Sequence, residues 1–303
     1  GHISPWHVYV LAFLTAGVQV FQQPARASMI SEAVPREYLT NAIGLNSLIF
    51  NLSRGVGPAL AGALIVVIDI GGAFAVQAFF MLLATCLTWP LKHVPHPPAA
   101  RRRESFFASM TAGWKYSWND LTLRAALSCV MLTSFFIVPF TTLLPVFARD
   151  LLDVGATGQG LLLTGMGGGA FVSAALVANA GHKMTRGMVM FVSGVMYGLA
   201  VILFAVSHSF LLSMVAMVIA GLFHVHTNVL VNTVVQSYSP PEFRGRTMAI
   251  FGMHQAVITL AAMAFGALAS LAGPRWAVAL MAAAGVCCVI ALNLAMPNAR
   301  RIR

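Results

Sequence analysis

Residues 187–206 read GMVMFVSGVMYGLAVILFAV, twenty positions without a single charge. Coiled as an α-helix rising about 1.5 Å per residue, that stretch is about 30 Å long, which is the thickness of a bilayer's hydrocarbon core. Working outward with a window of about 19 residues, nine such spans emerge, at 7–33, 39–68, 72–91, 122–148, 157–180, 187–206, 209–237, 247–272 and 275–296. The composition agrees: of 303 residues 59% are hydrophobic and 9% charged, against about 25% charged in soluble domains, and the mean hydropathy is +0.83. A water-soluble globular protein is excluded. The net charge of +10 is no nucleic-acid footprint, because the basic residues sit in short gaps between apolar runs instead of covering one solvated face. The fold class is an all-α polytopic membrane protein.

Orientation follows from where Lys and Arg fall, since positively charged loops stay in the cytoplasm. With the loop after the first span inside, fifteen of the 18 basic residues lie on that side, from Arg26 through Arg101, Arg102 and Arg103 to Arg303. Arg149 and Arg275 lie on the other side, and Arg54 is within a span. The expected protein is a multi-pass one with its C-terminus cytoplasmic and residue 1 outside. It opens Gly1-His2-Ile3-Ser4-Pro5 with neither an initiator Met nor an export signal, so helices are expected upstream.

Polar residues concentrate at 92–121. Pro95, Pro97 and Pro98 forbid helix at its start, while Phe106, Phe107, Met110, Trp114 and Trp118 predict an amphipathic interfacial helix after it. Four cysteines, Cys86, Cys129, Cys287 and Cys288, all fall in apolar runs without a CxxC pair and read as small membrane-core residues. No cofactor or metal is expected.

An internal echo orders the spans. Val34-Pro35-Arg36-Glu37-Tyr38 resembles Ser239-Pro240-Pro241-Glu242-Phe243, with the two glutamates 205 residues apart and each segment opening a helix after another. Six-helix halves related by an axis along the membrane normal give such a repeat. Counted in that frame, the first span is the fourth helix and three are missing. The expected domains are 1–91, the remainder of the N-terminal half (helices four to six); 92–121, a cytoplasmic interdomain loop; 122–296, the C-terminal six-helix half; and 297–303, a cytoplasmic tail.

From about residue 6 to 296 the chain resembles the major facilitator superfamily, in its branch of enterobactin-exporter-like bacterial efflux proteins. The resemblance is carried by Phe21-Gln22-Gln23-Pro24-Ala25-Arg26, Val34-Pro35-Arg36-Glu37, Asn41 to Ser47 and Arg54 to Gly62. Later it is carried by Gly113-Trp114-Lys115-Tyr116, Asp120 to Arg124 and Arg244-Gly245-Arg246. It implies the superfamily's twelve-helix fold, nine of the twelve being present, and an alternating-access carrier in the bacterial inner membrane, a monomer driven by the proton gradient. Gly44, Gly57, Pro58 and Gly62 are similar to the family's antiporter motif, with Ser53 and Ala61 standing where it has Gly.

Arg54 lies midway along its span, where an arginine costs about 2.5–3.5 kcal/mol to insert. At 100° per residue Asn46, Ser47, Asn51 and Arg54 share a sector of about 140° on an otherwise apolar helix. That stripe reads as cavity lining, with Arg54 as a fixed charge for an anionic group or a carboxylate, or else as a structural arginine bonded to helix-end carbonyls. His224, Asn228 and Asn232, spaced four apart, form a second polar face. His224 reads either as a proton-coupling group or as one end of an interhelical hydrogen bond. Gln19 and Gln22, with Gln23, His254, Gln255, Thr141 and Thr142, are further cavity candidates. Gly165-Met166-Gly167-Gly168-Gly169 follows no strand and reads as close helix packing, not as a dinucleotide loop.

The expected function is therefore a secondary active transporter, exporting a drug, siderophore or lipophilic metabolite by proton-coupled alternating access. The alternative is a non-transporting remnant. With no HExxH, no GxSG and no paired mid-membrane aspartates, a membrane-embedded enzyme lacks support.

Overall fold

The computed structural model describes residues 38–90, 106–180 and 185–301, with eleven single positions before them, from Trp6 to Pro35. Its regular elements are all helical, with no strand among the described residues. They fall into two compact units, one drawn from 1–51 and 75–102, the other from 52–74 and 103–303.

Helix α1, Leu39–Thr88, covers two of the expected spans and breaks between them at Asp69, whose φ of 64° and ψ of 171° are not helical. Asp69 is followed by Ile70-Gly71-Gly72, and glycines next to a non-helical residue let the chain change direction with little steric cost. The two runs are thus separated by a single residue where the hydropathy pattern placed a short gap.

The second unit carries α2 (Phe106–Asn119), α3 (Leu121–Phe136), α4 (Gly155–Ala180), α5 (Arg186–Val206), α6 (Phe210–Tyr238), α7 (Pro241–Gly252), α8 (His254–Ala272) and α9 (Pro274–Ala295). Asp120 caps α3, its carboxylate accepting from the Leu123 amide at 2.9 Å, an arrangement worth about 1 kcal/mol. The span expected to be one helix over 122–148 is α-helical only to Phe136; it continues as 3-10 helix over Val138–Leu143, a single α turn and a π turn over Phe147–Leu151. Pro139 and Pro145 account for the change, since each removes an amide donor and its ring collides with the carbonyl four residues back. The Thr141 and Thr142 hydroxyls are spent on the carbonyls of Val138 and Pro139 within that stretch. The span expected at 247–272 begins earlier, at Pro241, and is interrupted at Met253.

Six of these segments are long and apolar enough to cross a membrane: Gly71–Thr88, Leu121–Leu151, Arg186–Val206, Phe210–Tyr238, Glu242–Ala272 and Pro274–Ala295. Large apolar side chains cover their outer surface, Leu271 at 86% and Met263 at 73% exposure among them. In water such a surface would aggregate; in lipid it is the ordinary exterior of a bundle.

Glycine sets the closest approach. A Cβ on Gly169 would stand 1.9 Å from the Val218 carbonyl oxygen, and one on Gly221 equally close to that of Met166, so α4 and α6 touch backbone to backbone. That is the close packing expected of the 165–169 run.

The two ends of the second unit differ in charge. Gly187, in the first turn of α5, lies against the backbone of Ala299; Gly113 of α2 lies against Arg246, and Tyr116 stacks on Phe243 at 4.5 Å. Lys115, Arg124, Arg186, Arg244, Arg246 and Arg300 therefore gather at one end. About 30 Å away along α5, Arg275 donates from Nη1 to the carbonyls of Ala205 (3.1 Å) and Ser207, and the rings of Phe147 and Phe204 meet at 4.8 Å. Arg149 and Arg275 occupy that second end, the former paired with Asp150 through contacts of 2.5 and 3.0 Å.

Candidate functional site

Helix α6 has two polar faces with different uses. Residues two apart on a helix point about 200° from each other, so His226 and His224 cannot share a surface. His226 is buried toward α4, where its Nδ1 and the Ser173 hydroxyl share a hydrogen bond of 3.3 Å. This is an interhelical polar contact in an otherwise apolar seam, joined by Gly221 one turn away. Thr227 completes that side, its hydroxyl donating to the Phe223 carbonyl.

The other face holds His224, Asn228 and Asn232, all half-buried. The His224 ring lies 5.0 Å from that of Tyr197 on α5, tilted by 45°, and Tyr197 itself is 1% exposed. One side of the imidazole is therefore fixed against a buried phenol ring. Two turns on, the Gln236 amide donates to the Asn232 carbonyl oxygen at 2.5 Å. The stripe thus extends one position beyond the three expected residues, to Gln236. It offers an imidazole and three carboxamides, a set able to donate and accept hydrogen bonds without carrying a fixed charge.

The other candidates stand elsewhere. His254 is buried at the junction of α7 and α8, where its Nδ1 donates to the Phe251 carbonyl at 2.6 Å and its ring lies 4.8 Å from Phe251. Gln255 beside it is exposed. Asn46 is half-buried on α1 and Gln22 is exposed. The backbones of Gly44, Asn51, Arg54, Gly57, Pro58 and Gly62 belong to α1, while their side chains, and all of Gln19, lie outside the described residues. Cys86 and Cys287 face outward, Cys129 is buried and Cys288 half-buried, none of them in a disulfide. No group of three or more His, Cys, Asp or Glu that could hold a metal ion occurs among the described residues.

Two residues that sequence reading passed over complete the picture, Tyr197 and Ser173. Each is a polar group in a largely apolar helix, and such a group in a membrane span has to find a partner. The signal was present; which helix supplied the partner was not.

Comparison with known proteins adds the following. Residues 1–301 match the family model described as "Transmembrane secretion effector". The staphyloferrin A transporter of Staphylococcus aureus is 21% identical over 281 residues, covering 92% of this chain and 70% of the relative. The multidrug efflux pump Tap of Mycolicibacterium fortuitum is 26% identical over 279 residues, 88% of this chain and 67% of the relative. The uncharacterized MFS-type transporter YfiS of Bacillus subtilis is 27% identical over 278 residues, 85% of this chain. The chain spans 63% of the length of that last relative.

Proposed function

The chain belongs to the major facilitator superfamily, and from that premise we propose that it serves proton-coupled export of a small amphipathic molecule by alternating access. It is a multi-pass membrane transporter of bacterial type acting on a small molecule, and its family and relatives are transporters, not enzymes. Export is favoured by the efflux pump among the relatives, and a siderophore or a drug as cargo by the names of two of them. The enterobactin-exporter-like branch belongs to the same reading.

The observation that carries the proposal is the half-buried stripe His224–Asn228–Asn232 on α6, a continuous polar face on a helix of a transporter-family bundle. A polar face in a membrane span is costly unless it meets water, a partner or cargo. In this reading Arg54, Asn46, Asn51, Gln19 and Gln22 contribute a second lining from residues 1–91, the remainder of the N-terminal half, and 122–296 form the six-helix C-terminal half. Gly44, Gly57, Pro58 and Gly62 supply small-residue contacts for rocking. The protein acts as a monomer in the inner membrane, with α2 and the C-terminal tail in the cytoplasm. The gathering of Lys115, Arg124, Arg186, Arg244, Arg246 and Arg300 at one end supports that orientation.

The test is efflux of a compound panel, siderophores and lipophilic cations included, from cells expressing the whole gene with and without a protonophore. Export of at least one compound that collapses with the protonophore is expected. Unchanged accumulation across the panel, or export indifferent to the proton gradient, would overturn the reading.

A further inference from the structure

At the basic end of the second unit a half-open groove of about 430 Å³ runs between α2, α3, α7 and α9, within the range of about 300–1,000 Å³ usual for ligand pockets. Its walls are apolar: Trp114 and Trp118 from α2, Leu127 and Met131 from α3, Leu292 from α9 and Met296 just beyond its end. The two indoles stack at 5.7 Å and are about half exposed, at 47% and 49%. Stacked, half-exposed tryptophans at the end of a membrane bundle belong at headgroup depth.

The groove has a charged mouth. Arg124 lies three, four and seven residues before Leu127, Ser128 and Met131, on the helix face that lines the groove. Its Nη1 donates to the Trp118 carbonyl at 3.3 Å, while its Nε is buried and has no hydrogen-bond partner among the described residues. No described carboxylate forms an ion pair with it; the nearby Asp120 carboxylate serves the Leu123 amide. Lys115, Arg246 and Arg300 stand at the same end.

An apolar slot beside paired indoles, opening at an uncompensated guanidinium, is complementary to one kind of molecule. We propose that this groove is a binding site for an anionic phospholipid of the leaflet on the α2 side, its acyl chain lying between Trp114, Trp118, Leu127 and Met131 and its phosphate held by Arg124. A zwitterionic lipid presents the same chain without the net charge, so charge selectivity is the signature. The inference stands on the membrane setting and not on export, so its failure and that of the transport reading are separable.

The full chain, with Trp6, Trp89 and Trp276 changed to Phe so that only the groove indoles report, is reconstituted in nanodiscs of increasing mole fraction of lipid brominated on its acyl chains. Quenching by brominated phosphatidylglycerol is expected to saturate at a lower fraction than quenching by brominated phosphatidylcholine. Arg124→Gln should weaken the phosphatidylglycerol effect about five-fold and leave phosphatidylcholine unchanged, as loss of one basic contact to an anionic headgroup implies. Met131→Phe, or Leu292→Phe on a different helix should the first not fold, fills the slot and should reduce quenching by both lipids. Equal quenching by the two lipids with no effect of Arg124→Gln would reveal ordinary boundary lipid and overturn the proposal. So would quenching displaced by an exported compound, or quenching relieved when the chain self-associates, because cargo or a second copy would then own the groove.

Discussion

The imidazole of His224 and the phenol ring of Tyr197 lie 5.0 Å apart, tilted by 45°, across the boundary of α6 and α5. Tyr197 is fully enclosed, whereas His224 is half-buried, in line with Asn228 and Asn232 on the same face. A proton arriving on His224 would place a charge beside an enclosed aromatic face, where a cation is stabilised by the ring's quadrupole. Histidine changes charge between about pH 5 and 8. If His224 couples protons to movement, His224→Gln should flatten the pH dependence of export over that interval while protein still reaches the membrane. Tyr197→Phe, which keeps the ring, should retain the profile. A wild-type pH profile in His224→Gln would reduce this pair to a packing contact.

Neighbouring glycines of α4 make a controlled comparison. A Cβ at Gly169 meets the Val218 carbonyl oxygen at 1.9 Å, while one at Gly168 meets nothing within 4 Å. Gly169→Ala has to push α4 away from α6, an overpacking that costs about 1–3 kcal/mol. Gly168→Ala should be neutral or stabilising by up to about 1 kcal/mol through helix propensity. Thermal unfolding of the two variants in detergent, followed by fluorescence-detected size exclusion, should separate them by several degrees.

Asp69 is held at φ 64° and ψ 171°, a region that costs a non-glycine residue about 1–3 kcal/mol. Its side chain is exposed and makes no compensating hydrogen bond or ion pair among the described residues. Asp69→Gly should therefore raise the melting temperature, by about 2–4 °C for each kcal/mol released in a chain of 150–250 residues or more. Asp69→Val, with a branched carbon at the same φ, should lower it. A fall in both variants would mean that the Asp69 side chain has a role beyond the turn.

Apolar length made most of the fold legible. The run 187–206 differs from α5 by one residue at its start, and 157–180 from α4 by two, because a bilayer-spanning helix is set by composition over twenty positions and little else. Where local geometry overrode composition, reading by hydropathy alone failed: 122–148 is as apolar as its neighbours, yet Pro139 and Pro145 convert its second half into 3-10 and π turns. The two echoing segments share one local backbone contact. The Tyr38 amide donates to the Pro35 carbonyl at 3.0 Å, and the Phe243 amide donates to Pro240 at the same distance, so segments 205 residues apart turn into their helices alike. Of the candidate site, the stripe on α6 followed from 100° per residue. Tyr197 and Ser173 did not, since which helix lies against which is a tertiary fact. Arg124 was legible only as a loop charge; its position over the groove depends on Asp120 starting α3 where it does.

The separation of charge between the two ends gives the last prediction. Tyr116 stacked on Phe243 and Gly187 against Ala299 tie one end together, and Arg275 on the Ala205 and Ser207 carbonyls marks the other. Basic residues are retained on the cytoplasmic side during insertion, and the first end carries Lys115, Arg124, Arg186, Arg244, Arg246, Arg300 and Arg301 against Arg149 and Arg275 at the second. With the four native cysteines replaced by Ala, Lys115→Cys should react with an impermeant maleimide only in inside-out vesicles. Trp276→Cys, which is 65% exposed beside Arg275, should react only in intact cells. The reverse pattern would invert the protein in the membrane and, with it, the direction in which the His224 stripe opens. Labelling of both positions from one side would contradict the bundle itself, because α5 could not then join its two ends across the bilayer.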